Sequence, residues 1–180
     1  MMRKVLYIFG LLADADVEWM AHAGVARRVE RSEPIIEEGK PHDSLVLVLE
    51  GEFVVSSKGV GEIARLGAGE IVGEMSFVDP AASSATVAAS ALARALFIDK
   101  RVLTDRLEAD VAFGARFYRA LAIFLADRLR RMDRRVGYDE AASLEGDAML
   151  EDELNLDVLD GVSLAGDRFH RLLRLLGSAR

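Results

Sequence analysis

Between Val25 and Asp99 a glycine interrupts the chain again and again, at Gly39, Gly51, Gly59, Gly61, Gly67, Gly69 and Gly73. The pieces between are short and apolar, with Val46, Val48, Phe53, Val54, Val55, Ile63, Leu66, Ile71, Val87 and Ile98 as strand formers. Many short strands divided by glycine turns specify an antiparallel barrel or jelly roll rather than a parallel sheet. Leu49-Glu50-Gly51-Glu52-Phe53 reads as a tight connection between two strands, with Gly51 supplying a backbone angle other residues avoid. The expected fold is mainly β.

Helical patterning flanks this region. Val5, Ile8, Phe9, Leu12, Val17 and Met20 recur at helical intervals, and Asp14 or Asp16 is placed to cap a second short helix carrying Trp19. Arg3 and Lys4 precede an apolar stretch that is too short for a secretory signal and runs at once into Asp14, Asp16 and Glu18, so an amphipathic helix is expected there. After the β region, Lys100 to Ala109 offers Val102, Leu103 and Leu107. A longer run carries Val111, Phe117, Tyr118, Leu121, Phe124, Leu125, Leu129 and Met132 at three- and four-residue steps. That stripe serves the barrel and, as a homodimer, a second chain. Arg128, Arg130, Arg131, Arg134 and Arg135 at its end, diluted by Asp127 and Asp133, are expected to form a solvated face suited to the helix dipole. The chain is thus expected to divide into a domain over 1–135 that includes the long helix, an acidic linker over 136–153, and a helical tail over 154–180. In the tail, Leu154, Leu156, Val158 and Leu159 form one apolar patch. Phe169, Leu172, Leu173, Leu175 and Leu176 form another after Gly166, as two short helices that fold back or bind a partner protein.

Composition removes several functional classes. A net charge of −7 opposes general nucleic-acid binding, which needs a basic footprint. With no cysteine there is neither a disulfide framework nor a thiolate metal site. No run approaches the ~18–20 apolar residues that span a bilayer, and a cytoplasmic protein without membrane association is expected.

The segment from Gly67 to Val87 carries the chemistry. A strand ends at Val72, Gly73 turns the chain tightly, Glu74 to Phe77 make one helical turn, and Asp79-Pro80 turns it back. The free N–H groups of such a turn converge on one spot, which suits an anion. Ser83, Ser84 and Thr86 approach with hydroxyl donors, Glu74 is an acceptor for a sugar diol, and Ile71, Val72 and Val87 can wall a planar base.

This segment resembles the phosphate-binding cassette of the cyclic nucleotide-binding domain family, which includes the bacterial catabolite-activator-like regulators. Gly73-Glu74 matches the family's opening pair, and Ser84-Ala85-Thr86-Val87 matches its close at the family's spacing. Ile35-Ile36-Glu37-Glu38-Gly39, Leu47 to Phe53 and Phe97-Ile98-Asp99 resemble its barrel motifs. The resemblance spans roughly Val5 to Arg135. It implies an eight-stranded antiparallel β-roll with N-terminal helices and a long C-terminal dimerisation helix. It also implies a ligand site at Val72, Gly73, Glu74, Met75, Ser76, Ser83, Ser84, Ala85 and Thr86, with cAMP or cGMP as the ligand and no required cofactor.

One position departs. The family's arginine, which pairs with the cyclic phosphate, falls on Ser83. A charge-assisted bond to phosphate contributes roughly 1.5–3 kcal/mol, so its loss weakens a ligand by about 10- to 100-fold or more. Arg116 and Arg119 on the long helix are candidate replacement cations. Two readings of the loop follow. In one, Glu74 holds a ribose hydroxyl, Gly73, Met75 and Ser76 offer backbone donors, and Ser83 and Ser84 hold the phosphate. In the other, Glu74 caps the turn, the serines satisfy backbone groups, and the chain is a scaffold that has lost its nucleotide.

Other chemistries find no support. The acidic stretch after Arg135 lacks a basic recognition helix, so DNA binding is not expected. His22, His42 and His170 lie apart without the ligand spacing of cupin metalloenzymes. Ser83 and Ser84 have no neighbouring general base, and there is no nucleophile elbow. The expected role is a non-enzymatic sensor in signal transduction whose helices pass occupancy of the site to a partner protein.

Overall fold

The structure is a computed structural model that describes residues 6–79, 81–141 and 156–178, with side chains at 6, 7, 76, 77, 127, 130–141, 156–163 and 178 outside that description. Two helices, α1 (Leu6–Leu11) and α2 (Asp14–Ala23), precede β1 (Val25–Val29), β2 (Pro34–Ile36), β3 (Ser44–Glu50), β4 (Phe53–Ser57), β5 (Gly61–Leu66) and β6 (Ile71–Val72). The single turn α3 (Met75–Val78) leads to β7 (Thr86–Ala89) and β8 (Ala93–Asp99), and then come α4 (Lys100–Ala109), α5 (Val111–Ala141) and α6 (Leu156–Ser178). The eight strands form two four-stranded sheets in the orders β1-β8-β3-β6 and β2-β7-β4-β5, paired antiparallel throughout. The antiparallel architecture is the one the glycine spacing predicts, and the eight-stranded β-roll is the one the family resemblance implies.

Strand β3 shows why the roll closes. Its alternation sends Leu45, Leu47 and Leu49 into a core under the helices, together with Phe9, Met20, Leu103, Phe113 and Phe117. Val46 and Val48 point the other way, into the space between the sheets, with Ile36, Phe53, Val55, Val72 and Val87. Period-two alternation therefore gives one strand two dry faces, which explains its unbroken apolar run. The connection after it crosses from one sheet to the other rather than making a hairpin within one. Gly51 takes φ +83° there, and a Cβ would stand 2.9 Å from Ala93 Cα.

Several boundaries differ from expectation. Neither Asp14 nor Asp16 is the cap of α2. Ala13 holds that position, and its N–H donates to Asp16 Oδ2 at 2.7 Å from inside the first turn. Helix α5 continues past Arg135 to Ala141, so the start of the expected linker is helical, and the rest of it to Glu153 lies outside the described residues. The tail is one helix rather than two, because Gly166 sits in α6 without interrupting it; Leu154 lies outside the described residues. α6 folds back on α1 and α2, burying Ala165, Phe169 and Leu172 in the helical core. Arg168 fastens it by donating to Asp14 Oδ1 at 2.7 Å and to the carbonyl oxygens of Phe9 and Gly10. Among the described residues no helix is long and apolar enough to cross a membrane.

Candidate functional site

The turn after β6 is built as its sequence specifies. Gly73 takes φ +86°, and a Cβ would fall 2.5 Å from the carbonyl oxygen of Ser44 on β3, so both the angle and the space require glycine. α3 follows, and the Asp79 N–H closes it by donating to the Met75 carbonyl at 2.8 Å. The returning segment is pinned by a reciprocal backbone pair: the Ser83 N–H donates to the Lys40 carbonyl at 3.1 Å, and the Gly39 N–H donates to the Ser83 carbonyl at 2.8 Å.

These segments enclose a cavity of about 200 Å³. Ile36, Val55, Val72 and Val87 make its apolar back wall, and Glu74, Ser83, Ser84 and Arg128 make its polar rim. Of the sequence-expected site, the structure brings Val72, Gly73, Glu74, Met75, Ser83, Ser84 and Ala85 to this cavity. Thr86 does not line it; its hydroxyl oxygen accepts from the Glu38 N–H at 3.1 Å and ties the start of β7 to the turn after β2. The side chain of Ser76 lies outside the described residues. Ile71 is not a wall of the pocket, because the alternation of β6 turns it into the helical core, whereas Val72 faces the roll. Ile36 and Val55 take its place from the opposite sheet.

Glu74 is 1% exposed, and its carboxylate accepts from Nη1 of Arg128 on α5. Burial raises its pKa, while the charges of Arg128 and then Lys100 pull the other way without overcoming it. Lys100, at the start of α4, donates from Nζ to the His42 carbonyl and feels the charges of Asp43 and Glu74. Burial lowers the pKa of His42, and the neighbouring Lys100 charge adds to the effect. Its half-buried imidazole packs against Gly73, and its Nε2 has no hydrogen-bond partner among the described residues.

The candidate replacement cations are not those the sequence suggested. Arg116 is committed elsewhere, donating to both oxygens of Asp16 at 2.8 and 3.0 Å, and Arg119 is exposed away from the cavity. Arg128, expected on a solvated face, turns inward to Glu74 and the cavity. The signal was present: Phe117, Leu121, Phe124 and Arg128 follow one another at steps of four, three and four, so this arginine continues the core-facing stripe of α5. The hydroxyls of Ser83 and Ser84 make no hydrogen bond among the described residues and are free to serve a ligand. Among the described residues, no three His, Asp or Glu side chains gather as a metal site.

A family model of the cyclic nucleotide-binding domain matches residues 26–110. No curated protein matches the sequence. Among solved structures, the chain is similar to a cyclic nucleotide-binding domain from Methylobacillus flagellatus, with 25% identity, TM-score 0.65, and 81% of this chain and 86% of that one covered. It is similar in fold to the Thermus thermophilus catabolite activator protein, with 22% identity, TM-score 0.62 and coverage of 96% and 87%. It is also similar in fold to the regulatory subunit of a cAMP-independent protein kinase A from Trypanosoma brucei, with 22% identity, TM-score 0.55 and coverage of 79% and 46%.

Proposed function

We propose that this chain, whose residues 26–110 match the family model of the cyclic nucleotide-binding domain, is a regulatory sensor taking a small anionic ligand, a cyclic nucleotide, in the pocket between the cassette and α5. The observation that carries this reading is the pocket itself: apolar Ile36, Val55, Val72 and Val87 together with a buried acceptor, two serine hydroxyls and one guanidinium. Glu74 accepts from ribose hydroxyls, Ser83 and Ser84 donate to phosphate, and the back wall takes the base. Ligand pockets commonly measure ~300–1,000 Å³, so a cavity of about 200 Å³ must widen on binding. Occupancy then biases the helices that follow the roll, and a partner protein reads them.

The same reading makes the protein a homodimer through α5. Val111, Ala115, Tyr118, Ala122, Leu125 and Leu129 alternate at steps of four and three, the repeat of a coiled-coil seam. Val111, Tyr118 and Leu129 are 80%, 52% and 61% exposed on the single chain, so a seam is available. One experiment tests both parts. Calorimetric titration with cAMP, cGMP and cyclic dinucleotides is expected to give micromolar binding that Glu74→Ala removes, and sedimentation is expected to give a two-chain mass that Tyr118→Glu halves. Absence of heat with every compound at millimolar concentration overturns the sensor reading, and a one-chain mass for the unaltered protein overturns the dimer.

A second reading, a scaffold without a nucleotide, draws on one observation: Arg128 already satisfies the buried Glu74 with no ligand needed. The same titration decides between them.

A further inference from the structure

The cassette of this protein has no cation of its own, yet the cavity is not without one. Ser83 stands where the family pattern places arginine, and the lining residues from the cassette bring only Glu74 and Asp79 as charges, both negative. An anion entering such a site is repelled unless a positive group is present. Arg128 is the one positive residue lining the cavity among the described residues, and it arrives from α5. Its side chain is 34% exposed while its carboxylate partner is 2% exposed, so the guanidinium sits at the boundary between the buried acid and the open cavity.

We infer that Arg128, held in place by Glu74, is the residue that pairs with the anionic group of the ligand, so that α5 supplies the positive charge the cassette lacks. This rests on the ligand-binding reading above. A guanidinium carries five N–H donors in a fixed fork. Nη1 is engaged by Glu74, and the remaining donors are left for a phosphate lying beside Ser83 and Ser84. Glu74 thereby has two tasks, accepting from the ligand and orienting Arg128. Arg128 is not the only positive charge that Glu74 feels, because Lys100, which does not line the cavity, also acts on it. The other nearby cations are spoken for: Arg116 by Asp16, and Lys100 by the His42 carbonyl.

The placement has a consequence for signalling. With the cation on α5, the ligand's charge joins the cassette directly to the helix that carries the exposed Leu129 next in sequence. A ligand that leaves removes one of the two links between the cassette and α5, and the Arg128–Glu74 pair remains.

The test is titration of the full chain and four variants with cAMP, cGMP and cyclic di-GMP. Arg128→Ala is expected to weaken the ligand that binds by about 10- to 150-fold, the loss of one charge-assisted pair. Arg128→Lys is expected to fall between, since a point charge replaces a fork. Arg128→Gln is shorter and removes the charge but keeps a polar amide at the position, and it is expected to lose as much as alanine, which serves if the alanine variant does not fold. Arg128→Ala combined with Ser83→Arg is expected to recover most of the affinity, because the charge returns at the cassette while the Glu74 contact does not. Wild-type affinity in Arg128→Ala, or no recovery in the double variant, overturns the role of Arg128 and leaves the sensor reading standing. No binding by the unaltered chain overturns both.

Discussion

Helix α5 carries two arginines that meet buried carboxylates, and the contrast between them separates architecture from site. Near its start, Arg116 grips both oxygens of Asp16, which is 2% exposed and also accepts the Ala13 N–H from inside the first turn of α2. Further along, Arg128 meets Glu74, equally buried, through one nitrogen. The arginines are equally half-exposed, at 35% and 34%. What differs is the surroundings. Arg116 lies beside a packed core of Phe113 and Phe117, and two of its nitrogens are fixed on the two oxygens of Asp16. Arg128 borders a cavity with unused hydroxyls opposite. A saturated pair fixes two elements against each other; an unsaturated pair at a cavity is poised for a third participant.

The strongest way to break this comparison is to remove the first pair. Arg116→Ala leaves Asp16 buried and half-satisfied. Its cost is expected to be about 2–3 kcal/mol, below that of a fully buried pair because the guanidinium is partly solvated. That corresponds to a fall in Tm of about 5–10 °C for a chain of this length, read by calorimetry, with ligand affinity unchanged. Equal loss of affinity in Arg116→Ala and Arg128→Ala would erase the distinction between staple and site.

A smaller effect is expected from Glu74→Gln. The pKa of Glu74 is raised by burial above its ordinary 4.5, so over the interval between the two values the folded state holds the proton more tightly than the unfolded chain. Its contribution to stability is therefore present at low pH and is lost as pH rises through that interval. Glutamine imitates the protonated form, so the variant is expected to be more stable than the unaltered protein at pH 7, with the difference closing toward pH 4 in urea titrations. Asp14 and Asp110 act in the opposite sense. The Arg168 hydrogen bond lowers the pKa of the first, and the Phe113 N–H lowers that of the second, so their contributions disappear as pH falls. A gap between Glu74→Gln and the unaltered protein that widens on acidification would contradict the assignment.

The least effect is expected where an arginine meets a carboxylate in solvent. Arg171 pairs with Asp14 and Glu18 across α6 and α2, and all three side chains are 40% exposed or more. Arg171→Ala is expected to cost under ~1 kcal/mol, and less at high salt. A larger loss would mean that exposure does not distinguish the pairs on this protein.

How much of this was legible in advance varies by residue. The roll was legible, because Gly51 and Gly73 mark turns only glycine can make and the run from Leu45 to Leu49 supplies two buried faces in alternation. The cassette was legible too, as Gly73-Glu74 and Ser84 to Val87 are local in sequence. Thr86 was misplaced, because whether a strand hydroxyl faces the pocket or a neighbouring strand depends on the pairing of β7. The passage of α6 through Gly166 reflects tertiary packing overriding a weak local preference.

By itself the sequence determined the local chemistry: periodicity, the positions that demand glycine, and a cassette with serine where a cation was expected. Only the tertiary structure decided which cation answers that serine. Arg116 and Arg128 lie on the same helix, and although its spacing puts Arg128 on the core-facing stripe, nothing local says which carboxylate either arginine meets. The distinction arises because α5 packs across the roll so that one arginine meets Asp16 and the other meets Glu74 at the cavity. Contacts between residues so far apart in the chain are set by how the helix docks.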